Sequence, residues 1–306
     1  MTVIGAEEKA AVLRVLDSGV LSGFIAGSLH GGPEVQALER EWAAYFGFKH
    51  AVAMNSATSG LIAACGAVGI EWADRVIVPP LTMSATAVAP MVYGAEAVFA
   101  DVEPDYFCLD PAEVVEIIHD DIDAIITVDL FGQMSNPLLR RIADDHNVPL
   151  IQDASQRPIP GGFGDIVVYS LNYHKHIHCG EGGVACTNDD TLAKTLRLIR
   201  NHGENSEGFD DFGFNFRMAE IEAAIARVQL TQLPGEILRR QFDASFIDDL
   251  APIRPGHDHA FYLFPHRGKQ GFQYQKPLTH LPIFDSDPEE CPLAEEVWKT
   301  YRMLRP

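Results

Sequence analysis

The sequence is poor in the features that settle a protein's class at a glance. Its five cysteines, Cys65, Cys108, Cys179, Cys186 and Cys291, are an odd number with no CxxC pair among them. That argues against a disulfide framework and for core residues or inert thiols. No apolar run approaches the length of a membrane span, and the first residues, MTVIGAEEKA, lack the basic start and continuous apolar stretch of a signal peptide. A cytoplasmic protein that stays out of the membrane is expected. Positive charge is scarce as well: 23 Lys and Arg stand against 43 Asp and Glu, a formal charge of −20. Such a surface favours solubility and repels nucleic acid and anionic lipid, so an anionic ligand has to meet a local positive site. The chain has no internal repeat, low-complexity tract or obvious flexible linker.

What is present is a regular alternation. With 306 residues, 47% of them apolar, the chain can bury a large core and a smaller second one. The short apolar runs AVAMN (51–55), VIVPP (76–80), AVFADV (97–102), AIITVDL (124–130), VPLIQD (148–153), DIVVYSL (165–171) and GVACTN (183–188) predict strands. Helical periodicity marks PEVQALEREWAAYFG (33–47), SATSGLIAACGAVGI (56–70), PAEVVEIIHD (111–120), PLLRRIADDH (137–146), TLAKTLRLIRNH (191–202) and MAEIEAAIARVQL (218–230). Strands alternating with amphipathic helices predict an α/β fold, a mostly parallel sheet covered on both faces, with its site at the carboxyl ends of the strands. Eight of the 19 prolines fall in the last 56 residues, which breaks that rhythm and predicts a small irregular domain over 236–306 after a large domain over 1–235.

Chemistry-bearing residues collect at predicted strand ends. In SLNYHKHIHCGEGG (170–183), His174, His176 and His178 alternate beside Cys179, and on a strand all three rings would share one face in the manner of zinc ligands. The same strand would put Lys175 on the opposite face, so surface or cofactor-pocket histidines are the preferred reading and no metal is expected. Lys175 is either one half of a salt bridge or a Schiff-base former; the glycines of GEGG, which let the backbone turn sharply beside a ligand, favour the second. SATSG opens a helix with hydroxyls and backbone N–H groups, ordinary caps or a phosphate cradle. Asp153 at the end of VPLIQD is a structural cap or a functional carboxylate. An anion cradle, a carboxylate and a lysine together are what pyridoxal phosphate requires.

The segments GPEVQALEREWAAYFGFKHAVAMNSATSGL, VIVPPLTMSATA, IQDASQ, GDIVVYSLNYHKHIHCGEGG, RNHGEN and NFRMAEIEAAIARVQL occur in order from about residue 16 to 235. They resemble the successive motifs of the pyridoxal-phosphate-dependent sugar aminotransferases of the DegT or StrS group, which have the aspartate-aminotransferase-like fold type I with a seven-stranded large domain. The resemblance implies a role for each matching residue. Lys175 would carry the Schiff base, Asp153 would face the pyridine nitrogen, and Gln156 would lie beside the ring hydroxyl. Ala57 and Thr58 would form the phosphate turn, Ser170 would add a phosphate contact, and Asn215 would add another from the partner subunit of a homodimer. Met83 stands where the family carries an aromatic ring stacked on the cofactor. The implied reaction moves an amino group from an amino acid, usually glutamate, to a keto sugar carried on a nucleotide, as in polysaccharide biosynthesis.

The chain also departs from the family. HAFYLFPHR (259–267) resembles the start of the small domain, and YQKPLTHLPIF with CPLAEEV its end, but almost nothing remains between Arg267 and Gly271 of a helix-bearing segment. Other pyridoxal-phosphate chemistry, such as sugar dehydration, is the alternative within the fold. Relatives that dehydrate carry histidine in place of Lys175. A non-catalytic regulatory or binding member of the fold is the alternative outside catalysis.

Overall fold

The seven apolar runs form strands: β1 (His50–Met54), β2 (Arg75–Val78), β3 (Glu96–Phe99), β4 (Ala124–Val128), β5 (Leu150–Asp153), β6 (Ile166–Ser170) and β7 (Gly183–Thr187). They make one sheet in the order β1-β7-β6-β5-β4-β2-β3. The computed structural model describes residues 4–24, 29–119, 121–205, 208–209 and 212–306. Its helices are α1 (Ala6–Ser18), α2 (Pro33–Phe46), α3 (Ala57–Ala67), α4 (Ala85–Met91), α5 (Pro111–Ile117), α6 (Leu138–His146), α7 (Asp190–Arg200), α8 (Glu220–Ala244) and α9 (Pro292–Thr300). Two short pairs complete it, β8 (Glu204–Asn205) with β9 (Gly208–Phe209) and β10 (Phe264–His266) with β11 (Arg302–Leu304).

Strands β2, β3, β4 and β5 pair in parallel, as the alternating pattern predicts, whereas β7 is antiparallel to both β1 and β6. The reason is the connection: no helix lies between β6 and β7, and a parallel pair needs a crossover that such a link does not supply. Other boundaries also differ from expectation. The helix expected over 218–230 runs to Ala244 with Pro234 inside it, and the strand expected over 124–130 stops at Val128, where a 3-10 turn (Leu130–Gly132) begins. The helix expected over 111–120 ends at Ile117, and Asp120 lies outside the described residues. Helices α1, α4 and α9 were not foreseen, being short or weakly patterned.

The chain forms two compact units, one made of residues up to Gly69 together with Pro160–Ile237, the other of Ile70–Ile159 together with the residues from Leu238 onward. In the first unit, α2 packs Trp42 and Phe46 against Tyr169 of β6, with ring centroids 5.7 and 4.4 Å away. Glycine at position 32 cannot cap α2 with a side chain, and Glu220 does so instead, accepting the Glu34 N–H at 2.7 Å. A Cβ at Gly32 would lie 2.6 Å from that carboxyl group, so glycine is what permits the approach. Buried Glu39 accepts the Ala53 N–H at 3.0 Å and pairs with Arg200 and Arg197, tying α2 and α7 to β1.

In the second unit, Leu81, Val102, Phe107, Val128, Leu130, Phe131, Leu263, Val297, Tyr301 and Met303 share one apolar core. Asp101, just past β3, caps α9 from a distance in sequence by accepting the Leu293 and Ala294 N–H groups at 2.7 and 2.9 Å. The shortened connection after Arg267 closes as a tight bend. Gly271 takes φ 100° there, and Phe272 exchanges backbone hydrogen bonds with Met303 at 3.1 and 2.8 Å.

Candidate active site

Strand register assembles the first set of candidate residues. Gly183 pairs with Met54 on one side and with Ser170 on the other, so the end of β1, the start of β7 and the end of β6 lie in one row. From Met54 the chain passes through Asn55 into α3, whose N-cap Ser56 accepts the Ser59 N–H at 3.0 Å. Ser59 in turn donates its hydroxyl to Asn55 Oδ1 at 2.6 Å. The turn is thus rigid, and the Ala57 and Thr58 N–H groups find no acceptor among the described residues. Two open donors at the positive end of an 11-residue helix make an anion cradle. Gly183 is what brings β7 up to it: a Cβ there would stand 2.5 Å from Ala57 N.

Asn215 lies beside the same turn, its carbonyl accepting from Asn55 Nδ2 at 3.4 Å. Its side-chain oxygen accepts from Arg217 Nε at 3.0 Å, and Arg217 also donates to Asn201 Oδ1 at 3.3 Å. Among the described residues no carboxylate pairs with Arg217, so the unit offers an uncompensated cation next to β1, where Met54 and Arg217 form a bridge. Sequence reasoning gave Arg217 no role.

Lys175 sits in a loop whose two ends are tied together. Asn172 and Gly180 form a parallel bridge, and Tyr173 N donates to Gly180 O at 2.8 Å. Asn172 Oδ1 accepts the His174 N–H at 3.1 Å, its carbonyl accepts the Lys175 N–H at 2.9 Å, and Glu181 takes its amide N–H at 2.8 Å. The Ser170 hydroxyl accepts the Asn172 N–H at 3.3 Å, which couples the loop to the row described above. Gly180 takes φ 95°, while a Cβ at Gly182 would meet Cys179 Sγ at 2.8 Å. Gly182 and Gly183 of GEGG therefore serve close contacts within the chain itself, and Gly180 a positive φ.

The histidines do not share a face, because this stretch is a loop and not a strand. His174 is exposed, whereas His176 and His178 are buried. Burial, with the charges of Glu222 and Glu181, pushes the Cys179 thiol up and keeps it protonated. Among the described residues no group of three His, Cys, Asp or Glu side chains is placed to hold a metal ion.

The second unit holds Met83, Asp153 and Gln156. Asp153 ends β5 in register with Val128 of β4 and is buried. One carboxylate oxygen accepts the Ser155 N–H at 3.0 Å and the other accepts the Thr86 hydroxyl at 3.0 Å. The buried Thr82 and Thr86 hydroxyls meet at 3.1 Å, so a hydroxyl relay leads to the carboxylate. Gln156 Oε1 accepts the Phe131 N–H at 2.8 Å and Nε2 donates to Tyr274 Oη at 3.4 Å. Met83 is 56% exposed, with its carbonyl taken by the Thr86 N–H at 3.1 Å. Thr82, Thr86 and Tyr274 were missed. The two threonines stand at i, i+4 in LTMSATA, which is a visible signal, but nothing near Tyr274 in sequence announces Gln156.

Within the first unit the open N–H groups suit a phosphate, and within the second the buried carboxylate and the amide suit a ring nitrogen and a ring oxygen of the kind pyridoxal phosphate carries. A model of the family described as the DegT/DnrJ/EryC1/StrS aminotransferase family matches residues 2–267. The spore coat polysaccharide biosynthesis protein SpsC of Bacillus subtilis (strain 168) is 32% identical over 295 residues, covering 86% of this chain and 74% of SpsC. Among solved structures, DesV of S. venezuelae superposes with a TM-score of 0.89 at 29% identity over 98% of this chain and 89% of DesV. DesI, solved in the presence of its TDP-sugar product, superposes with a TM-score of 0.85 at 26% identity over 98% of this chain and 85% of DesI.

Proposed function

The chain belongs to the DegT/DnrJ/EryC1/StrS aminotransferase family of pyridoxal-phosphate-dependent enzymes, and from that premise we propose that it moves an amino group from glutamate to a keto sugar linked to a nucleotide. The observation that carries the reading is the row Met54–Gly183–Ser170, which sets the open Ala57 and Thr58 N–H groups and the Ser170 hydroxyl beside the Lys175 loop. In the related DesI a TDP-sugar is the product, which supports a nucleotide-sugar substrate here.

Bound pyridoxal phosphate supplies an electrophilic aldehyde and an electron-accepting ring. Ala57, Thr58 and Ser170 would hold its phosphate, Asn215 would add a contact in a homodimer, and Met83 would pack its thioether on the ring. Asp153 would keep a proton on the ring nitrogen, and Gln156 would donate to the ring oxygen. Lys175 would supply the amine that holds the aldehyde and, when free, the acid–base group that moves a proton. Residues 1–235 then act as the cofactor domain and 236–306 as a shortened small domain. All five cysteines are free thiols, which supports a cytoplasmic setting.

The test is spectroscopic. Incubated with pyridoxal phosphate, the protein should turn yellow, lose the visible band on adding glutamate, and after borohydride carry the cofactor on Lys175. Lys175→Ala should carry no cofactor on the chain after borohydride and lose activity by at least about a thousandfold. A colourless parent protein would overturn the reading, and a band that no amino donor bleaches would replace it with a binding role.

A further inference from the structure

We propose that Tyr274 is a positioning residue that fixes the side-chain amide of Gln156, so that its remaining N–H is presented to the ring oxygen of the cofactor. The inference rests on the reading of Gln156 given above.

The amide has little freedom. Gln156 is 4% exposed, and because the Phe131 N–H at 2.8 Å requires an acceptor, that end of the amide is the oxygen. The nitrogen then faces Tyr274 Oη at 3.4 Å, which accepts one of its two N–H bonds. Among the described residues the second N–H meets no acceptor, an unused donor on a buried group that a ligand would satisfy. Burial, together with the charges of Tyr262 and Asp153, pushes the Tyr274 phenol up, so its oxygen stays neutral and available.

Both partners of the amide are themselves held. Phe131 has φ 58°, strained for a bulky residue, and its carbonyl takes the Tyr262 N–H at 2.8 Å and the Leu263 N–H at 3.3 Å. The Tyr274 ring packs edge-on against Phe131 with centroids 4.9 Å apart, and its carbonyl takes the Trp298 indole N–H at 2.9 Å. The following residues are anchored near Thr82: the Gln275 amide donates to the Thr82 carbonyl, and Leu278 N donates to Pro80 O at 2.7 Å. A segment that follows the shortened connection at 267–271 is therefore pinned beside the residues that hold Gln156 and, through Thr82 and Thr86, Asp153.

Tyr274→Phe keeps the ring and removes only the acceptor. A donor on the ring oxygen draws charge from it, so weakening that donor should let the neighbouring proton be held to higher pH. Two measurements on Tyr274→Phe, Gln156→Ala and the double variant test the proposal: the pH midpoint of the visible band with pyridoxal phosphate bound, and the melting temperature without it. We expect unloaded Tyr274→Phe to melt with the parent and its band midpoint to rise by roughly half a pH unit, Gln156→Ala to raise it by about one unit, and the double variant to match Gln156→Ala alone. Unchanged midpoints in either single variant, or shifts that add in the double, overturn the role assigned to Tyr274. A parent that never develops a band overturns the cofactor reading itself, and the inference with it; a parent band with an unmoved Tyr274→Phe midpoint overturns the inference alone.

Discussion

The two units hold their candidate residues by different means. In the first, backbone does the work: strand register, an N-cap turn and the absence of a side chain at Gly183 put open N–H groups beside Ser170. In the second, side chains from distant stretches meet, Thr86 on Asp153 and Tyr274 on Gln156. A backbone cradle fails when space is taken from it. A side-chain network fails by degrees, as single groups are removed or change charge.

The sharpest way to break the contrast is to add a methyl group to the backbone side. Gly183→Ala would push a Cβ to within 2.5 Å of Ala57 N and Ser56 C, neither of which can swing aside as a side chain can. We expect a loss of about 3 kcal/mol in denaturant unfolding together with loss of pyridoxal phosphate binding. Stability without binding loss would mean that the cradle tolerates displacement.

On the side-chain unit a proton serves the same purpose. Burial, aided by Arg157, pushes His259 down to about 3, and its Nδ1 accepts the Phe261 N–H at 2.9 Å, so the folded protein holds it neutral. An unfolded histidine titrates near 6.5, so above that pH the group costs nothing. Between about 6.5 and 3 only the unfolded state gains the proton, and stability falls with acidity by about 2 kcal/mol at pH 5. His259→Asn should flatten that part of the stability profile; an equal slope in the variant would assign it elsewhere.

Smaller effects sharpen the comparison further. Thr86→Val keeps the shape and removes the hydroxyl on Asp153, which should weaken cofactor binding about tenfold, or ~1.4 kcal/mol, in a fluorescence titration. Ser56→Ala removes one cap from α3, about 1 kcal/mol of stability by thermal melting, yet leaves the Ala57 and Thr58 donors in place. Binding that falls more steeply in Ser56→Ala than in Thr86→Val would reverse the division between backbone and side chains.

The same division decides how much was legible in the sequence. SATSG, DIVVYSL and GEGG are contiguous signals, and the local rules for caps, strands and glycine lead directly to the row they form. Asp153 was legible as a strand end, but its Thr86 partner lies 67 residues earlier and Tyr274 lies 118 residues after Gln156, and local periodicity carries no such pairing. The alternating histidines do not make a strand, for a physical reason. Alternation reads as a strand only where both neighbours can pair, and Asn172 and Gly180 instead close the stretch into a loop. The helix expected over 218–230 ends later, at Ala244, because buried Leu233, Ile237 and Ala244 keep helical spacing across Pro234.

That closed loop has one more consequence. Lys175 is partly exposed and of the type after which trypsin cuts, yet a protease has to draw its target out into an extended strand. Here the Asn172–Gly180 bridge, and the Leu171 N–H held by Gly182 O at 2.8 Å, stand on both flanks of the target bond, and drawing it out means peeling β7 from β6. Cleavage after Lys175 thus becomes a reporter of wider opening of the first unit and not of loop motion, with a rate that tracks the stability of the β6–β7 pairing.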